Sequence, residues 1–412
     1  MKHQKLIDII LLCLLALMQA CQKDKPTPIV VEKYCYEINN WEGLLSDSLL
    51  ITEEEPLIPN VDTAFVEWLK NKNNRVDIRS LTSENFEDLQ CMKQYLTDKS
   101  LVQLGESSHG TKEYNLIKVR LIKFLHEEMG FDVIAFESGL FDCFYTYENI
   151  NDYTAEQTLN NSIFSSVWGT EEVLELFEYI KQTQSTEHPL ILSGFDCQRT
   201  GDNYDKRPDF LYDMLVKVDS LYADQVSSFD KHVLTYYMDH YNYLVDYADS
   251  ISTIYIEIIS FIDQHYNQIK KYYPDKENYL VFAKKSILST ISELRYMLAL
   301  HENINKCMYI RDSAMASNIS FLKEELYPGQ KIIIWAHNAH IAYYPNLTSI
   351  HSNYRNMGNW LLENYREELY TIGLYMLKGK TKLVYNGTII DVVLPTKSYS
   401  LEAILYHLRK KY

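Results

Sequence analysis

Positive charge is scarce in this chain. Its 40 lysines and arginines stand against 56 aspartates and glutamates, and the formal net charge is −16 at pH 7. A nucleic-acid-binding protein needs a basic face that neutralises phosphates. We therefore expect no nucleic-acid partner, and we attribute the acidic balance to a solvated surface.

Cysteine pairs at metal-binding or disulfide spacing are missing as well. The seven cysteines are spread from Cys13 to Cys307, and none of them forms a CxxC arrangement. This distribution excludes a zinc ribbon and a disulfide framework. We expect the thiols of the folded part to be buried among apolar side chains. Cys197, which follows Asp196, is a candidate nucleophile, but no basic neighbour is evident in the sequence.

The N-terminal apolar run is too short to cross a bilayer. Residues 6–18 are mostly apolar, whereas a spanning helix takes about 20 residues. Ala20 then precedes Cys21, a pattern that resembles a bacterial lipoprotein signal. We predict a signal peptide over 1–20 and a tether and lead-in over 21–60. Lipid on Cys21 would anchor the protein to a membrane of the bacterial cell envelope, and the alternative is ordinary secretion with an unmodified cysteine.

Apolar runs of strand length stand out in the rest of the chain. Their length and β-branched content are typical of strands that are buried on both faces of a parallel sheet, and helix-like segments separate them. We therefore predict an α/β fold with a mostly parallel sheet flanked by helices. The predicted strands are at 101–104, 132–136, 189–194, 331–336 and 369–374.

A long stretch without strand signals interrupts this pattern. Residues 203–328 read as helical and are rich in tyrosine, so we predict a large helical insertion between the core segments 61–202 and 329–412. We expect its tyrosines to line a wide cleft beside the strand ends. A C-terminal hairpin is predicted to turn on Asn386-Gly387, and a last helix is predicted to begin at Ser400.

Polar and ionisable residues follow the predicted strands at the point where each strand ends. The carboxyl ends of parallel strands lie at one edge of a sheet, and ligands bind in the crevice outside that edge. We therefore expect these residues to converge on a single site. After the four successive strands they are Glu106 and His109; Glu137 and Ser138; Asp196 and Gln198; and His337, Asn338 and His340.

This set of residues favours water activation by a general base. His109 precedes a predicted helix, and the positive end of that helix disfavours the imidazolium form. Glu106 or Glu137 could orient the ring or hold a water molecule. His337 or His340 could polarise a carbonyl group or protonate the leaving oxygen.

Two other chemistries compete with this hypothesis. Ser107 and Ser108 are candidate nucleophiles, but the stretch from Gly105 to His109 is not GxSxG. Three histidines and several carboxylates could also hold zinc or manganese. The HxxH spacing of His337 and His340 differs from the HExxH signature of metalloproteases.

Three stretches of the sequence closely resemble the erythromycin esterase family. They are "LGESSHGTKEYNLIKVRLIKFLHEEMGFDVIAFE", "GFDCQ" and "IIIWAHNAHIA", and the resemblance extends over roughly 80–412 through "MGNWL" and "YSLEAIL". It implies hydrolysis of macrolide lactones by activated water, without a covalent acyl-enzyme. It also implies that the helical insertion forms one wall of a large cleft.

The resemblance assigns roles to individual residues. It implies that His109 is the general base, that Glu106 and Glu137 assist it, and that His337 and His340 are a second histidine pair. A basic residue on the first helix also belongs to the family's site, and both Lys118 and Arg120 qualify. We expect this basic residue, together with Asp196, Gln198 and Asn338, to bind the substrate.

The sequence thus predicts a hydrolase that opens a macrolide-like ester or lactone and needs no cofactor. The resistance enzymes of the family are cytoplasmic, whereas this chain carries a predicted export signal. One alternative is a metal-dependent hydrolase on the same fold. The other is a lipid-anchored binding protein without turnover.

Overall fold

The computed structural model describes residues 78–237, 241–274, 276, 278–343, 355–376, 378–383 and 387–393. The predicted signal peptide and tether, lipidation at Cys21, Asn386 of the predicted turn and the predicted C-terminal helix lie outside these residues. Among the residues that are described, no helix is both long enough and apolar enough to span a membrane.

A five-stranded parallel sheet forms the centre of the fold. Its strands lie in the order β3-β2-β4-β1-β5, and every neighbouring pair is parallel. The predicted α/β class and all five predicted strands are confirmed. Their bounds are β1 Leu101–Glu106, β2 Val133–Gly139, β3 Ile191–Asp196, β4 Ile332–His337 and β5 Leu369–Leu374.

Parallel strands need long crossover connections, and the helices in these connections cover the sheet. β1 and β2 are buried along their whole length, as their continuous apolar character predicts. The helices before the insertion are α1 Lys93–Leu96, α2 Lys112–Met129, α3 Leu140–Glu148, α4 Ala155–Ser162, α5 Ser165–Trp168 and α6 Glu171–Thr183. Short 3₁₀ segments lie at Glu87–Met92, Ile150–Asp152 and Asp202–Lys206.

The segment between β3 and β4 is helical, which confirms the predicted helical insertion. Its helices are α7 Arg207–Leu215, α8 Ser220–Tyr237, α9 Tyr241–Gln264, α10 Tyr266–Lys270, α11 Asn278–Leu300 and α12 Ile304–Phe321, followed by a π-helical turn at Leu322–Leu326. The insertion has its own apolar core, in which Phe229, Ile258 and Leu280 are buried. Two short helices, α13 Asn338–Ile341 and α14 Met357–Tyr365, flank the sheet after β4.

The ends of α2 follow from the local sequence. Thr111 precedes the helix in extended conformation, and Gly130 ends it in left-handed conformation with φ +68°. Glycine adopts that conformation at little steric cost. The loop that carries His109 is therefore held between β1 and the first turn of a long helix.

A C-terminal hairpin is present, as the fold prediction expected, and it packs on the loop that carries His109. Strands β6 Lys378–Lys382 and β7 Ile389–Val393 pair antiparallel. The Lys382 N–H donates to the Gly110 carbonyl at 3.1 Å, and the hydroxyls of Thr381 and Ser108 lie 2.6 Å apart. The hairpin therefore buries the backbone directly after His109.

Close approach of two backbones makes Gly110 intolerant of a side chain. A Cβ at Gly110 would lie 1.8 Å from the Lys382 carbonyl oxygen, whereas a Cβ at Gly379 in the same hairpin would meet only the Met376 sulfur at 3.4 Å. We expect Gly110→Ala to destabilise the protein by about 1–3 kcal/mol, because the backbone cannot yield as a flexible side chain does. Chemical denaturation measures this loss.

Gly379→Ala is the matched control for Gly110→Ala, and it should change the free energy of unfolding far less. Hydrogen exchange adds a local readout, since the Lys382 amide should lose protection in Gly110→Ala. If Gly110→Ala and Gly379→Ala have equal free energies of unfolding, the hairpin does not pack tightly against this loop.

Candidate active site

Four adjacent strands end in ionisable side chains along the carboxyl edge of the sheet. In sheet order they are Asp196 on β3, Glu137 on β2, His337 on β4 and Glu106 on β1. Glu106 is in register with His337. The predicted convergence of these residues at one edge therefore follows from the strand order.

Glu106 and His109 form a carboxylate–imidazole pair. His109 Nδ1 lies 2.9 Å from Glu106 Oε1, and Trp168 Nε1 donates to the same oxygen at 3.3 Å. Glu106 is completely buried, whereas the His109 side chain is 21% exposed. The Trp168 ring meets the His109 ring edge-on at 5.1 Å between centroids. This pair can orient the imidazole and leave its outer edge accessible to a reactant.

Lys118, and not Arg120, is the basic residue of α2 that reaches this edge. Lys118 is fully buried; its Nζ pairs with Glu106 Oε2 and donates to the Ala336 carbonyl at 3.3 Å. Arg120 instead donates to Asp88 and to the backbone carbonyl of Ser83. The alternative left open by the sequence is decided by geometry, and Arg120 lies outside the site.

Glu137 occupies the middle of the edge among positive groups. Its Oε1 accepts from Arg311 Nη2 at 2.8 Å and lies 3.2 Å from His340 Nε2. Its Oε2 accepts from the backbone N–H of His337 at 2.8 Å. Burial disfavours the charged form, but His340 and Arg311 outweigh it and hold the pKa of Glu137 well below its usual range. Glu137 is therefore a carboxylate at neutral pH.

Arg311 of α12 links the two carboxylates of β2 and β3. Its Nη2 also donates to Asp196 Oδ2 at 2.5 Å, and its Nε donates to the same oxygen at 3.0 Å. Asp196 is thus saturated by one guanidinium and by the Gln198 backbone N–H at 3.2 Å. The Gln198 side chain donates to the Tyr296 hydroxyl at 3.2 Å, so this strand end also contacts the insertion.

The two histidines after β4 differ in charge. Burial lowers the pKa of His337 to about 3, helped by the neighbouring His109, and its Nδ1 accepts from the Ala339 N–H at 3.1 Å. Burial would also lower the pKa of His340, but Asp312 and Glu137 raise it to about 10. At neutral pH His337 is therefore a neutral ring and His340 is an imidazolium.

Asn338 and the two serines make contacts that hold the fold. Asn338 Nδ2 donates to the Leu374 carbonyl at 2.9 Å. The Ser107 hydroxyl lies 3.0 Å from the Tyr114 hydroxyl, and Ser108 contacts Thr381 in the hairpin. Burial raises the pKa of the Cys197 thiol well above its usual value, so that residue is a poor nucleophile.

Sequence reasoning missed Trp168, Arg311 and Asp312. Asp312 and Arg311 had a detectable signal, because Asp312 falls on the buried stripe of α12 between Met308 and Met315. An acidic residue in such a stripe requires a partner. Trp168 offered no comparable signal, since its contact with Glu106 spans 62 residues of sequence.

The polar side chains at this edge of the sheet mostly contact one another. Within the described part of the chain, no group of three or more His, Cys, Asp or Glu residues is placed so that it could hold a metal ion. The arrangement can instead accept a proton at His109 and present a fixed carboxylate at Glu137.

Comparison with known proteins finds relatives among the hydrolases. A family model described as erythromycin esterase matches residues 126–412. One relative is the Bacillus subtilis (strain 168) protein named "Putative hydrolase YbfO". It is 33% identical over 355 residues, which is 82% of this chain and 78% of YbfO.

Two further relatives carry the same description. Erythromycin esterase type II of Escherichia coli is 22% identical over 341 residues, covering 78% of this chain and 79% of that protein. The crystal structure of a mutant of the erythromycin esterase EreC in its open conformation superposes with a TM-score of 0.56 at 18% identity, covering 72% of this chain and 74% of EreC. The superposition with EreC shows that the two proteins share a fold.

The charge on His340 makes stability depend on pH. Its folded-state pKa of about 10 exceeds the ordinary histidine pKa of 6.5, so its contribution is fully present below pH 6.5 and is lost as pH rises towards 10. We expect the difference in unfolding free energy between wild type and His340→Gln to shrink by about 1.4 kcal/mol for each pH unit in that window. Urea denaturation at pH 6.5 and 9 measures it.

His126→Gln is the matched control for this experiment. His126 is also buried, but burial lowers the pKa of its ring, so its contribution changes only below pH 6.5. The difference between wild type and His126→Gln should be constant from pH 6.5 to 9. A difference for His340→Gln that is equally flat would contradict the imidazolium assignment.

Proposed function

This chain belongs to the erythromycin esterase family and is a hydrolase, and we propose that it opens an ester or lactone with a water molecule activated by His109. The observation that carries the proposal is the Glu106–His109 pair, with 2.9 Å between Oε1 and Nδ1. A carboxylate that accepts the Nδ1 proton fixes the tautomer, so the lone pair of the imidazole is on Nε2.

Water activation proceeds from this tautomer. Nε2 of His109 removes a proton from water as the oxygen attacks the ester carbonyl carbon, and the imidazolium is stabilised by Glu106. Lys118 Nζ contacts the other oxygen of the Glu106 carboxylate. The proton then goes to the leaving alkoxide oxygen when the tetrahedral intermediate collapses, so no bond to the enzyme forms.

Glu137 acts as the fixed anion opposite His109. Its Oε2 accepts from the His337 backbone N–H, and the centroid of the His337 ring lies 5.0 Å from that of the His109 ring, so both side chains adjoin His337. Glu137 can accept the second hydrogen bond of the attacking water and stabilise the His109 imidazolium. Its own charge is maintained by Arg311 and His340.

The substrate class rests on the relatives. Two of them bear the name erythromycin esterase, which supports an ester or lactone in a macrolide-like ring. The contact of Gln198 with Tyr296 supports a cleft wall built by the insertion. We propose a small-molecule ester or lactone as substrate, with Asp196 and Gln198 on the insertion side of the cleft.

We expect His109→Ala to lower kcat by about 10²–10⁴-fold and to leave KM nearly unchanged, because it removes the base and not the binding surface. Glu137→Gln should also be severe, since it keeps the shape and loses the charge. The assay is mass spectrometry of a library of esters and lactones after incubation with the purified protein.

Ser107→Ala and Ser108→Ala should cost far less than His109→Ala, because neither hydroxyl forms a bond to the substrate. His188→Ala, at an exposed histidine, controls for the substitution itself. An acylated serine in the intact-protein mass would overturn the mechanism. Activity that is lost on chelation and restored by zinc or manganese would move the role to a metal-bound water. No turnover of any library member would favour a binding protein.

We also propose that lipid on Cys21 anchors the protein to a membrane of the bacterial cell envelope. The support is the short apolar run at 6–18 followed by Ala20 and Cys21. Each buried CH₂ of an acyl chain contributes about 0.8 kcal/mol to membrane binding. Cys21→Ser should therefore move the protein from the membrane to the soluble fraction on cell fractionation. Unchanged membrane association would contradict the proposal.

A further inference from the structure

The site contains a second carboxylate–imidazole pair, Asp312–His340, on the far side of Glu137. His340 Nδ1 lies 2.8 Å from Asp312 Oδ1. Both side chains are buried, His340 to 5% exposure and Asp312 to none. This pair differs from Glu106–His109 in that each ring nitrogen of its histidine faces a carboxylate, Asp312 at Nδ1 and Glu137 at Nε2, so we expect it to act on the site through Glu137.

Asp312 Oδ1 has a second contact besides His340. The same oxygen that contacts His340 accepts from the Met357 N–H at 2.9 Å. Met357 is the first residue of α14, and the unpaired N–H groups at a helix N-terminus stabilise an anion. Two donors therefore converge on one carboxylate oxygen.

His340 has an acceptor at each ring nitrogen. Nδ1 faces Asp312, and Nε2 lies 3.2 Å from Glu137 Oε1. Only the imidazolium can donate to both. The Nη1 of Arg311 also lies 3.3 Å from Nε2, and this like charge opposes protonation.

The charge balance of the whole cluster decides the outcome. The groups that face His340 directly are Glu137 on β2, Arg311 and Asp312 on α12, and the neutral His337 after β4. Asp196 on β3 joins the cluster through Arg311. Three carboxylates and one guanidinium leave two negative charges, and protonation of His340 reduces them to one. A buried cluster is more stable when its charges compensate.

We propose that Asp312 is a positioning residue that holds His340 as a permanent imidazolium, so that Glu137 stays a carboxylate in a fixed orientation. The proposal rests on the proposed function for the use that Glu137 makes of its charge. It also assigns His340 a different role from the general acid considered from the sequence: its Nε2 proton stays on the nitrogen and is not given to the leaving oxygen.

Histidine NMR tests the protonation state without reference to activity. In ¹⁵N-histidine-labelled wild type we expect one ring, identified by its loss in His340→Gln, to carry protons on both nitrogens from pH 6 to pH 9. In Asp312→Asn its titration midpoint should fall by at least one pH unit, a tenfold or greater loss of proton affinity. A His340 ring that is neutral at pH 7 in the wild type overturns the proposal, and so does an unchanged midpoint in Asp312→Asn.

Two variants separate positioning from mere folding. Asp230→Asn removes an equally buried carboxylate, one that pairs with Arg207 inside the insertion, and it should leave the His340 signals unchanged. Asp312→Glu keeps the charge and should restore the imidazolium. If Asp312→Asn does not fold, the wild-type titration and Asp312→Glu still decide the proposal, because both require the doubly protonated ring at pH 8.

Kinetics connect the pair to catalysis. With p-nitrophenyl acetate as probe, Asp312→Asn should lower kcat about tenfold or more, leave KM within about twofold, and move the alkaline limb of the pH profile to lower pH. Asp312→Glu should recover most of kcat. If the wild-type protein turns over neither this ester nor any library member, the proposed function is contradicted. The NMR titration still tests the His340 imidazolium independently of activity. An unshifted alkaline limb in a variant whose NMR midpoint has fallen would overturn the link to catalysis.

Discussion

Charge compensation by a single arginine underlies the catalytic edge. Glu137 and Asp196 end neighbouring strands and are both buried, and two adjacent carboxylates without a cation would force one of them to take up a proton. Arg311 donates to both. Because removing one partner of a buried ion pair costs about 3–5 kcal/mol, loss of the Arg311 guanidinium would weaken the contact between the insertion and the sheet. The orientation of Glu137 and the charge on His340 both depend on this contact.

The two carboxylate–imidazole pairs of the site differ in whether the imidazole can exchange its proton. The Glu106–His109 pair combines a fully buried carboxylate with a partly exposed ring, so its imidazole can exchange a proton with a reactant. The Asp312–His340 pair is buried at both ends, so its proton is fixed. His337 lies between them as a neutral ring whose centroid is 5.0 Å from that of His109. A positive charge there would oppose the protonation of His109, so neutrality of His337 keeps the base functional.

The strands and their polar ends were predictable because both are local features of the sequence. Continuous apolar runs specify buried parallel strands, and the residues after them then meet at one edge. The choice between Lys118 and Arg120 was not predictable from spacing. Residues two positions apart on a helix point in directions that differ by about 200°, and both of these faces of α2 are buried. Arg311 and Asp312 were not predicted, because their partners lie on β2, on β3 and after β4, far from them in the sequence. The charges of His337 and His340 likewise depend on these tertiary contacts and on no feature of the HxxH spacing.

Helix α12 links the insertion to the charge cluster at the sheet edge. The helix supplies Arg311 and Asp312 to the charge cluster, and Asn318 of the same helix donates to the Phe195 carbonyl at 2.9 Å. Any change in the insertion that shifted α12 would therefore move the Arg311 guanidinium that contacts Glu137. Arg311 and Asp312 are thus constrained twice: by the buried Glu137 and His340 that they contact, and by the position of the helix that carries them.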